Sequence, residues 1–555
     1  MERVVKGWRE GMRKFKWMSL CSLVLAASIF FAGCGGSDSN SAEVSIPEGK
    51  SISQTKDVVA AIPVDITTLD PMDTSDTLSG GIQRMMMDGL YSFTDDMKLK
   101  PMLATGYTAN ADATEFTFTL RKGVKFTDGT DWNADAAIAN VNKWTDKTLG
   151  LKRTNFVSGI INHVEKIDDY TIKFVLNKPF GAFVNNMAHP AMVMMSPKQL
   201  AQGVDVTAKQ PVGTGQYKFV EWVPGDHVTI ALNKDWWGYN KEASGGETIV
   251  APDAGFKSIT FKPVIESASR VAMLQSGDAQ MVFDVPTESF DMLSKEPNIK
   301  ATQINSIIVR YLFLNTQKPA LSDIRVRQAI SMAIDKQAFV NVVRNGLGSV
   351  ATSIIGPDVQ FYKGNEPLPY DVAKAKALLK EAGYENGLTL KLLIFNTTSS
   401  QKQAEFYKQQ LAAAGINVEI VSMESAIVNQ KVQGFRGEGK DAEYDLYIAG
   451  WSPSTGDADW GIRPMLASEM IPPLGYNLSY YQNPEMDGYI NAALTTADEA
   501  KRKEAYAKAQ DLFWKDIPMV AVANEPATWA TNNKITGVRL FPDNGINLSK
   551  ARMAE

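Results

Sequence analysis

The sequence predicts a mixed α/β protein that is built from large domains. Short runs that alternate apolar and polar residues recur in its first third, and longer runs with helical spacing dominate its last third. No segment after residue 57 is rich enough in Gly, Ser or Pro to act as a linker. The 555 residues, 44% of them hydrophobic, are enough for several cores and a cleft between domains. We therefore expect domains that are joined by strands rather than by flexible hinges.

The strand predictions depend on alternation and on short apolar runs. Residues 58–63 are apolar, and both Glu115–Leu120 and Thr171–Leu176 alternate with a period of two. Leu388–Phe395 is a further apolar run between predicted helices. Strands therefore alternate with helices along much of the chain, which favours an α/β fold.

The helix predictions depend on caps and breakers. Asp371 precedes an apolar stripe that ends at Gly383, and Asp498 precedes a helix predicted over 499–515. Two further helices are predicted over 324–334 and 401–414.

Several glycines and tryptophans in the first half are predicted to be structural. We expect Gly123, Gly129, Gly213 and Gly215 to occupy turns with positive φ. Trp222, Trp236 and Trp237 are expected in the core rather than against a ligand.

The amino terminus has the composition of an export signal. Residues 1–16 carry six Lys or Arg against two Glu, and an apolar run over 17–31 follows. That run is shorter than the roughly 18 residues that a membrane span needs. It ends in Ala-Gly-Cys34, which resembles the lipobox of bacterial lipoproteins, whose thiol takes a diacylglycerol before cleavage. We predict a signal peptide over 1–33, lipidation at Cys34, and a Gly/Ser-rich tether over 34–54 that anchors the exported protein on the periplasmic or cell-surface side.

Composition and motifs argue against several other classes of protein. Removal of residues 1–33 takes away the basic stretch and leaves 51 Lys and Arg against 60 Asp and Glu, a net charge of −9 that argues against nucleic-acid binding. His163, His189 and His227 are far apart and form no zinc-binding motif, and no GxSxG motif occurs. Residues 434–440 fit GxxxxGK, but Asp441 stands where a phosphate-binding loop needs Ser or Thr. We therefore predict no metal, no cofactor and no enzymatic activity.

Several separated blocks follow one another in an order that is typical of a single family. They lie at 68–71 (TLDP), 88–91, 118–130 (FTLRKGVKFTDGT), 211–217, 233–238, 270–277, 324–329, 370–383 and 449–451. Together they resemble the large extracytoplasmic solute-binding proteins of peptide-type ABC importers. The resemblance covers residues 57 to about 545, nearly all of the exported chain.

This resemblance implies a two-lobed periplasmic-binding-protein fold whose cleft is crossed by two strands. We expect the crossings near 310–315 and 520–525. The amino-terminal lobe would span 55–310 with an inserted subdomain at about 90–205, the carboxyl-terminal lobe 311–522, and the return to the first lobe 523–555. The implied function is capture of a solute by hinge closure, after which a monomeric binding protein docks on a membrane permease driven by an ATPase.

The loop after Gly450-Trp451 suggests the ligand. Dipeptide and oligopeptide binders of this family place an Asp three residues after the Trp, where this chain has Ser454. An arginine for the ligand carboxylate is also lacking in 396–400. The loop is similar to that of the family's glutathione-binding members, and glutathione or a similar small peptide is the ligand that this similarity implies. The alternatives are a di- or tripeptide, haem or a nickel complex and, from a different class, a secreted peptide hydrolase.

The resemblance also implies a set of ligand-binding residues. Arg310 suits a carboxylate and Asp457 an ammonium, although a surface ion pair and a helix cap are the respective alternatives. The remaining candidates are Asp76, Thr77, Leu78 and Ser79 after the TLDP block, Tyr91, Tyr311, Trp451 and Trp460 as apolar walls, and Asn396, Thr397, Thr398, Gly450, Ser452, Ser454, Thr455 and Arg463 as polar or backbone partners.

Overall fold

The computed structural model describes residues 53–74, 76–251 and 253–554. The predicted signal peptide, the lipidation site Cys34 and nearly all of the tether therefore lie outside the described residues. None of the described helices is both long and apolar enough to cross a bilayer.

One large sheet and several smaller ones contain the strands. In chain order these are β1 (Asp57–Ile62), β2 (Tyr91–Phe93), β3 (Leu99–Pro101), β4 (Ala104–Ala109), β5 (Glu115–Leu120), β6 (Ile161–Asp168), β7 (Thr171–Leu176), β8 (Tyr217–Val223), β9 (His227–Leu232), β10 (Ser258–Pro263), β11 (Met281–Phe283), β12 (Ile299–Leu314), β13 (Ser349–Val350), β14 (Leu388–Phe395), β15 (Ile416–Met423), β16 (Leu446–Trp451), β17 (Met519–Asn532), β18 (Ile535–Thr536), β19 (Arg539–Leu540), β20 (Ile546–Asn547) and β21 (Arg552–Met553). The large sheet has the order β15-β14-β16-β12-β17-β11-β1-β10-β9-β8, with β13 paired to β17. A separate sheet has the order β4-β5-β7-β6, and it lies within the range predicted for the inserted subdomain.

Helices cover the sheets and make up much of the second half of the chain. They are α1 (Thr77–Met86), α2 (Ala134–Thr145), α3 (Thr154–Val157), α4 (Phe183–Met187), α5 (Pro197–Leu200), α6 (Val204–Thr207), α7 (Ser267–Ser276), α8 (Thr287–Ser294), α9 (Pro319–Ser322), α10 (Ile324–Ala333), α11 (Lys336–Val343), α12 (Val372–Glu381), α13 (Thr398–Ala413), α14 (Ser425–Val432), α15 (Ala458–Leu466), α16 (Pro484–Leu494) and α17 (Glu499–Asp516).

The predicted elements are confirmed with small shifts at their ends. β5, β7 and β14 have the predicted bounds, and β1 begins one residue early. Asp371 caps α12 by accepting from Lys374 N at 2.8 Å, and Asp498 caps α17. α13 begins three residues before the predicted start because Thr397 serves as its cap.

The predicted structural glycines divide into two kinds. Gly123 and Gly129 have φ of +74° and +84°, as expected. Gly213 and Gly215 do not have positive φ, and that prediction was wrong. A Cβ at either position would collide with the backbone of Met86, so these glycines allow a close approach to the end of α1.

The long strands β12 and β17 join the two halves of the large sheet. They pair antiparallel from Ile299–Asn532 to Phe313–Met519. Beyond β12 the sheet continues into β16, and beyond β17 it continues into β11. The pairing shifts between Asn305 and Val309, so residues 306–308 bulge opposite Glu525. Both predicted crossings lie in these strands, while the lobe boundaries themselves stay predictions.

Side chains of β12 alternate between two cores. Leu312 and Leu314 pack with α10, α11 and α13, whereas Tyr311 and Phe313 pack on the opposite face. Arg310 has the same parity as Leu312, so strand geometry directs it to the face that carries α11 and α13.

Candidate functional site

The predicted Gly-Trp loop connects β16 to α15 and is held firmly. Trp451 lies at the end of β16, and its Nε1 donates to Trp460 O at 2.6 Å. Ser454 N donates to Ser452 O at 2.9 Å, and Thr455 is fully buried. The two indole rings lie 5.9 Å apart, and Tyr476 packs against Trp451 at 4.7 Å. The loop therefore presents an aromatic surface beside buried hydroxyl groups.

Ser454 joins this loop to a distant part of the chain. His189, after α4, has its Nε2 3.1 Å from Ser454 Oγ, while its Nδ1 accepts from Ala191 N. Burial, together with the nearby guanidinium groups of Arg153 and Arg84, holds the pKa of His189 well below its usual range. A neutral imidazole that accepts at Nδ1 carries its proton on Nε2, so His189 donates to Ser454.

Aromatic side chains surround the contact between His189 and Ser454. Phe156 lies 5.4 Å from Trp460 in an edge-to-face arrangement and 5.1 Å from the His189 ring. His189, Phe156 and Tyr476 were absent from the sequence prediction. No local pattern marks them: His189 and Phe156 contact Ser454 and Trp460, which lie hundreds of residues away, and Tyr476 contacts Trp451, 25 residues earlier.

Asp457, predicted to bind an ammonium group, already has two structural partners. It caps α15 by accepting from Asp459 N at 2.8 Å, and its Oδ1 lies 2.9 Å from Arg502 Nη2. Burial disfavours the charged form of Arg502, but the attraction of Asp457 outweighs burial and raises the pKa of Arg502. The other carboxylate oxygen, Oδ2, is buried without a partner.

Arg463, another predicted ligand-binding residue, forms an ion pair within its own helix. Its Nε and Nη2 each lie 2.8 Å from an oxygen of Asp459, one turn earlier in α15. Phe180 lies below the guanidinium, 5.9 Å from ring centre to Cζ.

Arg310 belongs to a three-residue charge cluster at the bulge between β12 and β17. Its Nε donates to Glu525 Oε1 at 2.7 Å, and Arg344, which follows α11, donates to the same oxygen. Burial would raise the pKa of Glu525, but the two guanidinium groups outweigh burial and lower it. Gly450 lies opposite Arg310 in the strand pair, and a Cβ there would lie 3.1 Å from its guanidinium carbon. Sequence reasoning missed Glu525 and Arg344.

The residues after the TLDP block line a cavity of about 250 Å³. Asp76 caps α1 by accepting from Ser79 N at 2.8 Å, and Thr77 and Leu78 face the cavity with Asp284 and Asn544. Ser79 itself is buried.

The remaining candidates lie elsewhere. Tyr311 is buried on the face opposite Arg310 and donates to Ile354 O. Tyr91 lines a second, smaller cavity. Asn396, Thr397 and Thr398 are exposed at the start of α13, where Asn396 Nδ2 donates to Glu424 at 2.7 Å. The set as a whole stays a prediction.

A family model and several curated proteins match most of this chain. The model of the bacterial extracellular solute-binding proteins, family 5 Middle, matches residues 98–471. The glutathione-binding protein GsiB of Escherichia coli (strain K12) is 37% identical over 500 residues, which cover 89% of this chain and 94% of that protein. GsiB of Salmonella typhimurium is 38% identical over 499 residues, with the same coverage.

Solved structures of binding proteins superimpose on about nine-tenths of this chain. HbpA2 from Haemophilus parasuis superimposes with a TM-score of 0.78 at 25% identity, covering 90% of this chain and all of that one. The periplasmic binding protein DppA from Helicobacter pylori, in complex with the peptide STSA, gives 0.71 at 26% identity, covering 90% of this chain and 98% of that one.

Proposed function

This chain belongs to the bacterial extracellular solute-binding proteins of family 5, and on that premise we propose that it captures glutathione or a closely similar small peptide for an ABC importer. Its two-lobed α/β fold class and its role as a solute-binding protein follow from this membership and confirm the prediction from sequence. The observation that carries the choice of ligand is the 37–38% identity to glutathione-binding proteins across 89% of the chain.

The Gly-Trp loop supports this choice of ligand. A simple dipeptide would place its α-ammonium where this loop has a hydroxyl group, and that hydroxyl accepts from neutral His189. A buried ammonium without a charged partner is costly, so the loop disfavours such a peptide. Glutathione carries its ammonium on the α-carbon of the glutamyl residue, beside a free carboxylate and at the opposite end of that residue from the amide bond, so it can place the ammonium elsewhere.

Hinge closure is the proposed mode of capture. The β12–β17 pair joins the two halves of the large sheet, and its bulge at 306–308 interrupts the ladder there. A rotation about this bulge would separate His189 from Ser454 and open the cleft between the lobes.

Export and anchoring complete the proposal. As a family 5 protein the chain is extracytoplasmic, and we infer that lipid on Cys34 holds it at the membrane after cleavage. The loaded, closed form would then dock on a permease whose ATPase drives import. We propose no chemistry on the ligand, as its relatives are binding proteins.

Titration calorimetry on protein lacking residues 1–44 tests the proposal. Glutathione is expected to bind more tightly than Met-Leu, the tetrapeptide STSA, haem or a nickel–histidine complex. Tighter binding of any of these would replace glutathione as the ligand, and release of free amino acids from a peptide would indicate a hydrolase.

A further inference from the structure

A cavity of about 100 Å³ lies between the end of α1, β2 and the carboxyl-terminal segment 541–549. Ala188, which lines it, immediately precedes His189, and Arg84, which also lines it, is close enough to lower the pKa of His189, so the cavity lies near the His189–Ser454 contact. It is therefore next to the predicted cleft but is not part of the predicted site apart from Tyr91. Three charged side chains line it: Arg84, Asp88 and Lys100.

Arg84 has an incomplete set of partners. Its side chain is only 8% exposed, and its Nη2 lies 3.3 Å from Asp543 Oδ2. Its Nε and Nη1 are buried without a partner, and among the arginines of the described residues no other has two such nitrogens. The guanidinium packs over the ring of Phe541, with 4.5 Å from Cζ to the ring centre, but an aromatic ring does not replace a hydrogen-bond acceptor. Each unpaired buried donor costs free energy, so Arg84 lacks acceptors for two of its nitrogens.

Asp88 offers the opposite charge in the same cavity. Its Oδ2 accepts from Thr214 Oγ1 at 2.9 Å, Trp237 Nε1 at 2.8 Å and Trp236 Nε1 at 3.4 Å. Burial outweighs these three hydrogen bonds and raises the pKa of Asp88 to about 6. A cation placed beside it would favour the carboxylate form.

The charges around the cavity constrain what it can hold. Arg84 and Lys100 balance Asp88 and Asp543, so a lone anion or a lone cation would leave one buried charge uncompensated. A zwitterion adds no net charge. A volume of about 100 Å³ equals roughly three liquid waters, enough for a head group of about five non-hydrogen atoms but not for a whole peptide.

We propose that this cavity binds a zwitterionic α-amino-acid head group, with the carboxylate on Arg84 and the ammonium on Asp88. The inference rests on the proposed function, under which the head group is the γ-glutamyl end of the ligand. An ordinary α-peptide has no such group, because its ammonium and its carboxylate are at opposite ends. The cavity would therefore select γ-glutamyl peptides over α-peptides, and Ser454 in the Gly-Trp loop, which has no charge to pair with an α-ammonium, would act in the same direction.

Titration calorimetry with altered ligands tests this on the unaltered protein. N-acetyl-glutathione lacks the ammonium but keeps every other group, and we expect it to bind about 100-fold more weakly than glutathione. Glutathione amidated at its glycine keeps the head group, and it should lose less affinity than the N-acetyl compound.

Variants of Arg84 complete the test. Arg84→Met should weaken glutathione binding by about 100-fold and reduce the penalty for N-acetylation to below about 5-fold, because the head group no longer occupies the cavity. Arg84→Lys should bind glutathione more tightly than Arg84→Met but less tightly than the unaltered protein, since lysine keeps the positive charge but cannot donate two parallel hydrogen bonds to a carboxylate. Arg327→Met is the matched control: this buried arginine of α10 donates to the carbonyl oxygens of Leu321, Ser322 and Asp516, and its loss should leave affinity unchanged.

The outcomes separate the two proposals. If the protein does not bind glutathione, the proposed function fails and the inference with it. If glutathione and N-acetyl-glutathione bind equally well, or Arg84→Met binds glutathione as tightly as the unaltered protein, the cavity does not hold the head group while the proposed function stands. Thermal midpoints verify that each variant is folded, and if Arg84→Met is not, the comparison of ligands on the unaltered protein decides alone.

Discussion

His189 donates a hydrogen bond to Ser454 across 265 residues of chain, with 3.1 Å between Nε2 and Oγ. The histidine lies in the predicted amino-terminal lobe, and the serine lies in the Gly-Trp loop of the other lobe. Both side chains are buried, so with the predicted lobe boundaries this bond would join the two lobes where solvent is excluded. Opening of the cleft would break it, which makes it a direct probe of closure.

Ser454→Ala should weaken glutathione binding by about 1–3 kcal/mol, because it leaves the His189 donor buried and unpaired in the closed form. Calorimetric titration measures the change. Ser479→Ala is the control, since Ser479 Oγ donates to Pro518 O at 2.7 Å without joining the two lobes. Its affinity should remain unchanged although its stability falls. Equal affinities for Ser454→Ala and the unaltered protein would show that the contact plays no part in closure.

The stability of the protein should depend on His189 below pH 6.5. Its folded-state pKa is lowered, so the unfolded chain binds more protons once the pH falls below the ordinary value of about 6.5. The stabilisation is fully present above that pH and decreases by up to about 1.4 kcal/mol for each pH unit below it. Denaturant unfolding at pH 7.5 and 5.5 measures this difference, which His189→Gln should reduce. His163→Gln, at an exposed site in β6, should retain it.

Glu525→Gln should lower the free energy of unfolding more than Arg310→Ala does. The first change leaves two largely buried guanidinium groups without a carboxylate, whereas the second leaves Glu525 still paired with Arg344. We expect about 2–4 kcal/mol for Glu525→Gln, reduced from the fully buried case because a quarter of the Arg310 side chain is exposed. Urea unfolding gives both values.

The same variants decide whether Arg310 binds the ligand. If it binds a ligand carboxylate, Arg310→Ala should weaken glutathione binding by about 2–4 kcal/mol, and Arg310→Lys should recover only part of the loss. If Arg310→Ala leaves the dissociation constant for glutathione unchanged, Arg310 does not bind the ligand, and its role is structural, in the charge cluster with Glu525 and Arg344.

Ligand binding should make the protein more compact. Small-angle scattering is expected to give a smaller radius of gyration at saturating glutathione, because closure brings the lobes together about β12 and β17. The thermal midpoint should rise as well, since a ligand at 100 times its dissociation constant stabilises the folded state by about 2.7 kcal/mol. Unchanged scattering, at concentrations where calorimetry shows saturation, would argue against a hinge.

Cys34→Ala should abolish membrane anchoring, because Cys34 alone of the two cysteines follows Ala-Gly after the apolar run. Radiolabelled palmitate should be incorporated into the unaltered protein but not into the variant. Cys21→Ala, inside the apolar run, should still be labelled. Label in the Cys34→Ala protein would mean that the anchor lies elsewhere.

Local sequence by itself determined the elements of this fold. β5, β7 and β14 have the predicted bounds because side-chain alternation is a property of neighbouring residues. The helices after Asp371 and Asp498 begin as predicted, since a cap and its partners lie within one turn. The family and its two-lobed architecture were likewise evident from the order of short blocks along the chain.

Tertiary structure alone decided how the charges pair. That Arg310 binds a ligand carboxylate stays a prediction, but only the packed structure showed that Glu525, 215 residues away, accepts from its Nε and that Arg502 pairs with Asp457. Gly213 was expected in a turn, but the backbone of Met86 at the end of α1 explains why no side chain fits. Alternation and capping depend on a few adjacent residues, whereas a buried charge or a close contact depends on which distant segments the packed cores bring together.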